Sequence, residues 1–301
     1  MNDPYRAHAA FIRPAWPVRD IWRVMTMILL VELIFVLSPV GLVLLLPDAA
    51  RDAYVAGTGA LGTLLHFFSF GVAGLGLVGL LPILHGRGFW SLVGGRGAAW
   101  AKLTQVFWAV GLVLLLIELV PPAALVDDTV VMRDLGAWVL LLPVGLLALL
   151  VQVGTEELFF RGYLQQQLAC LSQSRWVWMV FPSVLFGVLH YANGYGPADG
   201  LIWAAWAALL GLACADLTAR TGNLGAAIGL HLANNAFALL LYAVADWPAS
   251  GLALFVYPYE DPAALDYSLA TLLDPSMIVQ AMTLALWVAV MWLAARIAIK
   301  R

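Results

Sequence analysis

Charge is what this chain has least of. Only 11% of its 301 residues are Asp, Glu, Lys or Arg, where a soluble domain carries about a quarter. There is no basic patch, so nucleic acid is not expected as a partner. Cysteine is scarce as well: Cys170 and Cys214 stand far apart and form no C-x-x-C pair, which excludes a disulfide framework or a cysteine-rich zinc module. Both read as small buried apolar residues. Segments of about ten residues alternating apolar and polar are missing, which excludes a transmembrane β-barrel. No repeat at solenoid periods and no inverted symmetry between the halves is evident.

What the chain has instead is apolar length. Hydrophobic residues make up 63%, and eight apolar stretches read as membrane helices: roughly 21–46, 60–84, 102–122, 137–165, 176–191, 200–217, 223–245 and 276–296. The expected fold is all-α, a polytopic membrane bundle of about eight transmembrane helices. Residues 1–20 are expected as a cytoplasmic N-terminal tail, 21–301 as a single transmembrane domain, and 246–275 as an acidic extracytoplasmic loop. The first stretch follows Arg6, Arg13, Arg19 and Arg23 but outruns a signal-peptide core and lacks a small-residue cleavage site, so it is kept as a helix.

Eight spans place 13 of the 15 Lys and Arg residues on one side, with only Arg51 and Arg133 opposite. The positive-inside rule then puts both termini in the cytoplasm. Acidic residues such as Asp48, Asp127, Asp246, Glu260 and Asp274 collect on the other side. The expected location is a bacterial inner or plasma membrane, with the lipid bilayer as a partner.

Against this background the run Gly154-Thr-Glu-Glu-Leu-Phe-Phe-Arg-Gly162 stands out, because it ends an uncharged stretch from Ala137 to Val153. An ionised carboxylate at the centre of a membrane helix costs roughly 2.5 to 3.5 kcal/mol, so packing alone does not account for two. Glu157 and Arg161 are four residues apart and can pair on one helix face. Glu156 then points about 100° away. Phe186 and His190 on the fifth helix have the same spacing, and so do His231 and Asn235 on the seventh. Three helices can thus present polar groups to one interior point. By helical rise, Glu156 lies about 14 Å deep, His231 about 12 Å and His190 about 21 Å. A tilted fifth helix, or one starting later than Trp176, is expected to bring the three level.

These residues in this order, Glu156-Glu157-x-x-x-Arg161, Phe186-x-x-x-His190 and His231-x-x-x-Asn235, resemble the CPBP family. That family holds the type II CAAX prenyl endopeptidases and the bacterial bacteriocin-processing or self-immunity proteins, also called Abi. The resemblance covers about 137–245 and includes Gly162 after the arginine; Asn193 follows the second motif and is given no role. It implies an intramembrane endopeptidase acting on a membrane-associated peptide or protein. Glu156 would be the general base on a water held by His190, with His231 and Asn235 stabilising the oxyanion. Glu157, Arg161 and Phe186 would support them. Such hydrolysis needs an activated water and an oxyanion donor, and the residue types supply both. No cofactor is favoured. A divalent metal such as zinc stays open, with Glu156, His190 and His231 as its three protein ligands, although the Glu-Glu-x-x-x-Arg spacing is not His-Glu-x-x-His and puts a cation beside the supposed site.

Each element also has a structural reading. Glu157 and Arg161 can be a brace, and His231 and Asn235 can be interhelical hydrogen-bond partners. Glu32, Glu118, His66 and His85 read as structural, and His8 as part of the soluble tail. Two other functions compete: a non-catalytic scaffold or immunity protein of the same fold, and a proton-coupled transporter built on intramembrane Glu and His.

Overall fold

The computed structural model of the chain describes residues 4–119, 128–259, 261 and 266–300. Asp127 and Glu260 of the expected outer loops lie outside them. A short helix α1 (Arg6–Ile12) and a 3-10 turn (Arg13–Val18) precede α2 (Ile21–Leu45), α3 (Asp48–Ala56), α4 (Ala60–His85), α5 (Trp90–Val93) and α6 (Arg96–Glu118). Next comes the long element α7 (Leu135–Leu171). A π-helical turn (Trp176–Val180) leads into α8 (Phe181–Leu189), followed by α9 (Pro197–Thr221), α10 (Gly225–Leu240) and α11 (Pro275–Ile299).

Helix boundaries follow local chemistry. Asp134 caps α7 by accepting from the Ala137 amide at 2.7 Å, which satisfies one of the orphan N–H groups of the first turn. Proline opens α9 and α11, where its missing N–H costs nothing. Gly222 closes α9 in the left-handed conformation at φ 69°.

Each of the eight apolar stretches forms helix over most of its described residues, 120–122 lying outside them, and the molecule is an all-α polytopic bundle. Six helices (α2, α4, α6, α7, α9 and α11) are long and apolar enough to cross a membrane. The other two expected spans are shorter, since α8 has nine residues and α10 sixteen. Within the most apolar window of each helix, 56% of α9 is buried but only 6% of α2, so α9 is the axis of the bundle and α2 lies on its rim. One core joins α6, α9, α10 and α11 through Val110, Leu210, Leu230 and Met291. A second joins α2, α4, α7 and α8 through Met27, Leu77, Phe160 and Phe186.

The seat of α10 depends on two small residues. A Cβ on Gly225 would fall 1.9 Å from the Ala99 carbonyl oxygen of α6, and one on Gly229 would fall 2.5 Å from that of Leu103. Gly225-x-x-x-Gly229 is therefore the strip along which α10 meets α6 backbone to backbone.

Three expectations are corrected. The seventh span was expected to reach residue 245, but α10 stops at Leu240 because its last carbonyls are taken elsewhere. Leu240 O accepts from Leu254 N at 3.0 Å and from Trp138 Nε1 at 2.8 Å, and Leu241 O accepts from Phe255 N at 2.7 Å. Within the expected acidic outer loop, strand β3 (Phe255–Tyr257) joins β1 (Val131–Met132) and β2 (Tyr242–Val244), which lie outside it, in a small sheet ordered β1-β3-β2 with β1 antiparallel and β2 parallel to β3.

The N-terminal segment is not a solvated tail. His8, Phe11 and Ala15 are buried, and the His8 ring packs on Trp178 at 4.5 Å. Tyr5 donates to Asp216 at 2.7 Å, and Asp216 also accepts from Arg220 at 2.8 Å and Trp292 at 2.9 Å. One carboxylate thus ties α1, α9 and α11 together.

Candidate functional site

The site is built on α7, where the helix changes pitch. Leu135–Glu157 is α-helical, Leu158–Leu164 is π-helical, and Gln165–Leu171 is α-helical again. π segments favour functional positions because the widened turn re-aims side chains. Glu156 and Glu157 are the last two residues before the widening, and Arg161 lies inside it. The fifth span begins at Trp176 and not later, also in a π turn. That turn and the packing of the helices still bring the second motif level with the third, for the Phe186 and His231 rings meet at 5.8 Å.

Glu157 and Arg161 pair as their spacing predicts, with Arg161 Nη1 donating to Glu157 Oε1 at 2.9 Å. Both side chains are essentially inaccessible, at 0% and 2% exposure. Arg161 sits against the faces of Phe186, at 4.8 Å, and Phe160, at 5.7 Å. Space for its Nη2 comes from Gly211 of α9, where a Cβ would lie 2.8 Å away.

The sequence did not foresee the position of His231. It was expected to face Glu156, with Glu157 left to the arginine, yet it touches both carboxylates. Its Nδ1–H donates to Glu157 Oε1 at 2.8 Å, and its Nε2 lies 3.6 Å from Glu156 Oε2. The Glu156 side chain is 13% exposed, unlike Glu157. Two neighbouring carboxylates are therefore distinguished by access and joined by one imidazole.

His190 closes the α8 helix in a 3-10 turn (His190–Asn193). Its Nδ1–H donates to the Phe186 carbonyl at 2.7 Å and its ring lies 4.3 Å from that of Phe186. This fixes the tautomer and leaves the Nε2 lone pair for an incoming hydrogen. Asn193 is exposed at the end of the turn. Asn235 donates through Nδ2 to Gln152 Oε1 at 3.0 Å, and its Oδ1 accepts from Asn234 Nδ2 at 2.9 Å.

Gln152, Asn234 and Cys214 were not singled out from the sequence. Gln152 carried a signal, being four residues before Glu156 and so on nearly the same helix face. Asn234 adjoins a motif residue, whereas Cys214 carried none.

For a metal, the ligand atoms brought together among the described residues are those of Glu157, Cys214 and His231, all within 4.8 Å of one another. This is not the trio expected from the sequence, Glu156, His190 and His231. The set suits an ion better on paper than in chemistry. Glu157 Oε1 already receives Arg161 and His231, and a guanidinium 2.9 Å away opposes a second cation. The residues fit an ion pair bridged by imidazole and not a metal.

His85, Glu118 and His66 have structural partners. His85 donates from Nδ1 to the Val18 carbonyl at 3.1 Å and accepts at Nε2 from Tyr163 at 2.9 Å. Glu118 accepts from the Tyr242 hydroxyl, and His66 packs among Tyr54, Phe67 and Phe70.

Residues 138–237 match the family model described as type II CAAX prenyl endopeptidase Rce1-like. All seven motif residues fall inside that segment, and the family resemblance read from the sequence is shown over it. A curated relative, the "Uncharacterized protein YyaK" of Bacillus subtilis (strain 168), is 31% identical over 141 residues, which is 46% of this chain and 46% of the relative. The match thus spans a little under half of the relative's length. No solved structure matches the chain.

Proposed function

We propose that this membrane protein with its Rce1-like segment is an intramembrane endopeptidase that hydrolyses a peptide bond of a membrane-associated peptide or protein. The observation that carries the reading is the single imidazole of His231 spanning two adjacent carboxylates of unequal access. Peptide cleavage itself is taken from the family description at 138–237.

In this reading Glu156, the more accessible carboxylate, removes a proton from a water whose other hydrogen is held by His190 Nε2. The hydroxide oxygen attacks the scissile carbonyl carbon, and the carbonyl oxygen becomes an oxyanion. With both ring nitrogens protonated, His231 gives Nδ1–H to Glu157 and Nε2–H to that oxyanion, with Asn235 Nδ2–H beside it. The C–N bond then breaks, and Glu156 returns its proton to the leaving amine. Glu157 and Arg161 hold His231 in place, a preorganised arrangement of the kind that stabilises developing charge. The positive-inside distribution of Lys and Arg supports both termini in the cytoplasm.

The test is to compare membrane peptides from cells carrying the active protein with those from cells carrying Glu156→Gln. Fragments that appear only with the active protein are expected, and they should also vanish in His190→Ala and His231→Ala. Undiminished cleavage by Glu156→Gln removes the proposed base. An unchanged phenotype in all three variants leaves the scaffold function instead.

A further inference from the structure

The proposed reaction leaves one buried amide of the site without a role. Gln152 is 7% exposed and stands one helical turn before Glu156 on α7, with Cβ atoms about 5–6 Å apart at such spacing. Gln152 meets Asn235 at 3.0 Å, just as Glu156 meets His231 at 3.6 Å, so α7 and α10 face each other in two rungs.

Three carboxamides run head to tail through this rung. Asn234 Nδ2 donates to Asn235 Oδ1, and Asn235 Nδ2 donates to Gln152 Oε1. The Asn235 and Gln152 oxygens are thereby taken, and the row ends in a donor. Gln152 Nε2 carries two N–H groups and makes no hydrogen bond among the described residues. Unlike Glu157 Oε2 and Arg161 Nη2, which are sealed from solvent, Gln152 Nε2 is within reach of solvent, so it is a donor left open beside the proposed base. The bond at Oε1 also fixes how the amide is turned, so Nε2 is held in one orientation. Successive amides in such a row polarise one another and strengthen the terminal donor.

We propose that Gln152 is a further catalytic residue, whose Nε2–H donates to the scissile carbonyl oxygen as it becomes the oxyanion, alongside Asn235 and His231. This rests on the endopeptidase reading. A neutral amide suits the task because it needs no proton of its own to be moved.

The experiment measures kcat and KM in proteoliposomes, using a membrane-anchored reporter that carries a peptide cut by the wild-type protein. Gln152→Glu keeps an oxygen for Asn235 but removes the N–H donor, so kcat is expected to fall about 100-fold or more, the scale of losing one oxyanion donor, with KM nearly unchanged. Gln152→Met, of similar volume, removes both the donor and the acceptor for Asn235 and is measured both alone and in the Asn235→Ala background, with the thermal midpoint read alongside. A donor acting by itself gives a further loss of about tenfold or more in that background. Wild-type kcat in Gln152→Glu, or no further loss from Gln152→Met when Asn235 is already gone, overturns the assignment and reduces Gln152 to a support for Asn235. A wild-type protein that cuts no membrane peptide refutes the endopeptidase reading itself, whereas normal cutting by the Gln152 variants refutes only this step.

Discussion

Glu157 and His231, on different helices and 74 positions apart in the chain, share a 2.8 Å hydrogen bond in which neither side chain is more than 3% exposed. The carboxylate is simultaneously held by Arg161 at 2.9 Å. A buried anion with two partners is a structural keystone, and a more accessible anion beside it is free for chemistry. This contrast separates stability from turnover.

Glu157→Gln removes the charge opposite Arg161 and leaves a buried cation uncompensated. Breaking such a pair typically costs about 3–5 kcal/mol. A marked fall in the thermal midpoint of the detergent-solubilised protein is expected. Glu156→Gln leaves Glu157 to hold both Arg161 and His231, so a smaller loss of about 1 kcal/mol is expected, while cleavage is abolished. Equal thermal losses in the two variants would contradict the division of roles.

Coupling between Glu157 and His231 can be measured directly. In a double-mutant cycle with Glu157→Gln and His231→Gln, an interaction energy of about 0.5–3 kcal/mol is expected for residues in one network. Additive effects would mean that the 2.8 Å contact contributes nothing.

The N-terminal segment predicts a dependence on pH. Burial lowers the pKa of His8 to about 4. Its Nε2 accepts from Gln165 Nε2 at 3.4 Å, so a protonated ring would set two donors against each other. Above about pH 6.5 His8 is neutral whether folded or unfolded and costs nothing. As pH falls from about 6.5 to about 4, the unfolded state takes up a proton that the folded state refuses, and stability drops by up to ~3 kcal/mol. Thermal unfolding across this window should show that loss, and His8→Phe should flatten it.

Gly225 and Gly229 test the seat of α10. Gly229→Val would drive a branched side chain into the Leu103 carbonyl, where even a Cβ would lie at 2.5 Å. Overpacking of this kind costs about 1–3 kcal/mol or more. Because α10 carries His231 and Asn235, cleavage should fall along with the thermal midpoint. A fully active Gly229→Val would show that α10 is not held by this contact.

The eight helices were legible because apolar length is a compositional signal that survives without any tertiary information. The pairs Glu157–Arg161 and Phe186–His190 were legible for a related reason, since periodicity says which residues share a face of one helix. It does not say how one helix is rotated against another. That is why His231 was expected at Glu156 alone, when it also bonds Glu157, and why Gln152 was passed over although it meets Asn235. The π stretch Leu158–Leu164 is a change of winding that leaves no trace in residue types. The N-terminal segment misled for a different reason: Arg6 and Arg13 are exposed, but His8, Phe11 and Ala15 beside them are buried.

The brevity of α10 has a consequence for where the protein can work. Its 16 residues rise about 24 Å, several ångströms short of a hydrocarbon layer of about 30 Å. α10 is enclosed by neighbouring helices, so its shortfall acts at its two ends, where a thinner bilayer brings headgroups and water closer. The thickness of the host membrane thereby sets how far water must travel to the helix bearing His231, and cleavage rate should follow acyl-chain length, faster in thin bilayers than in thick ones.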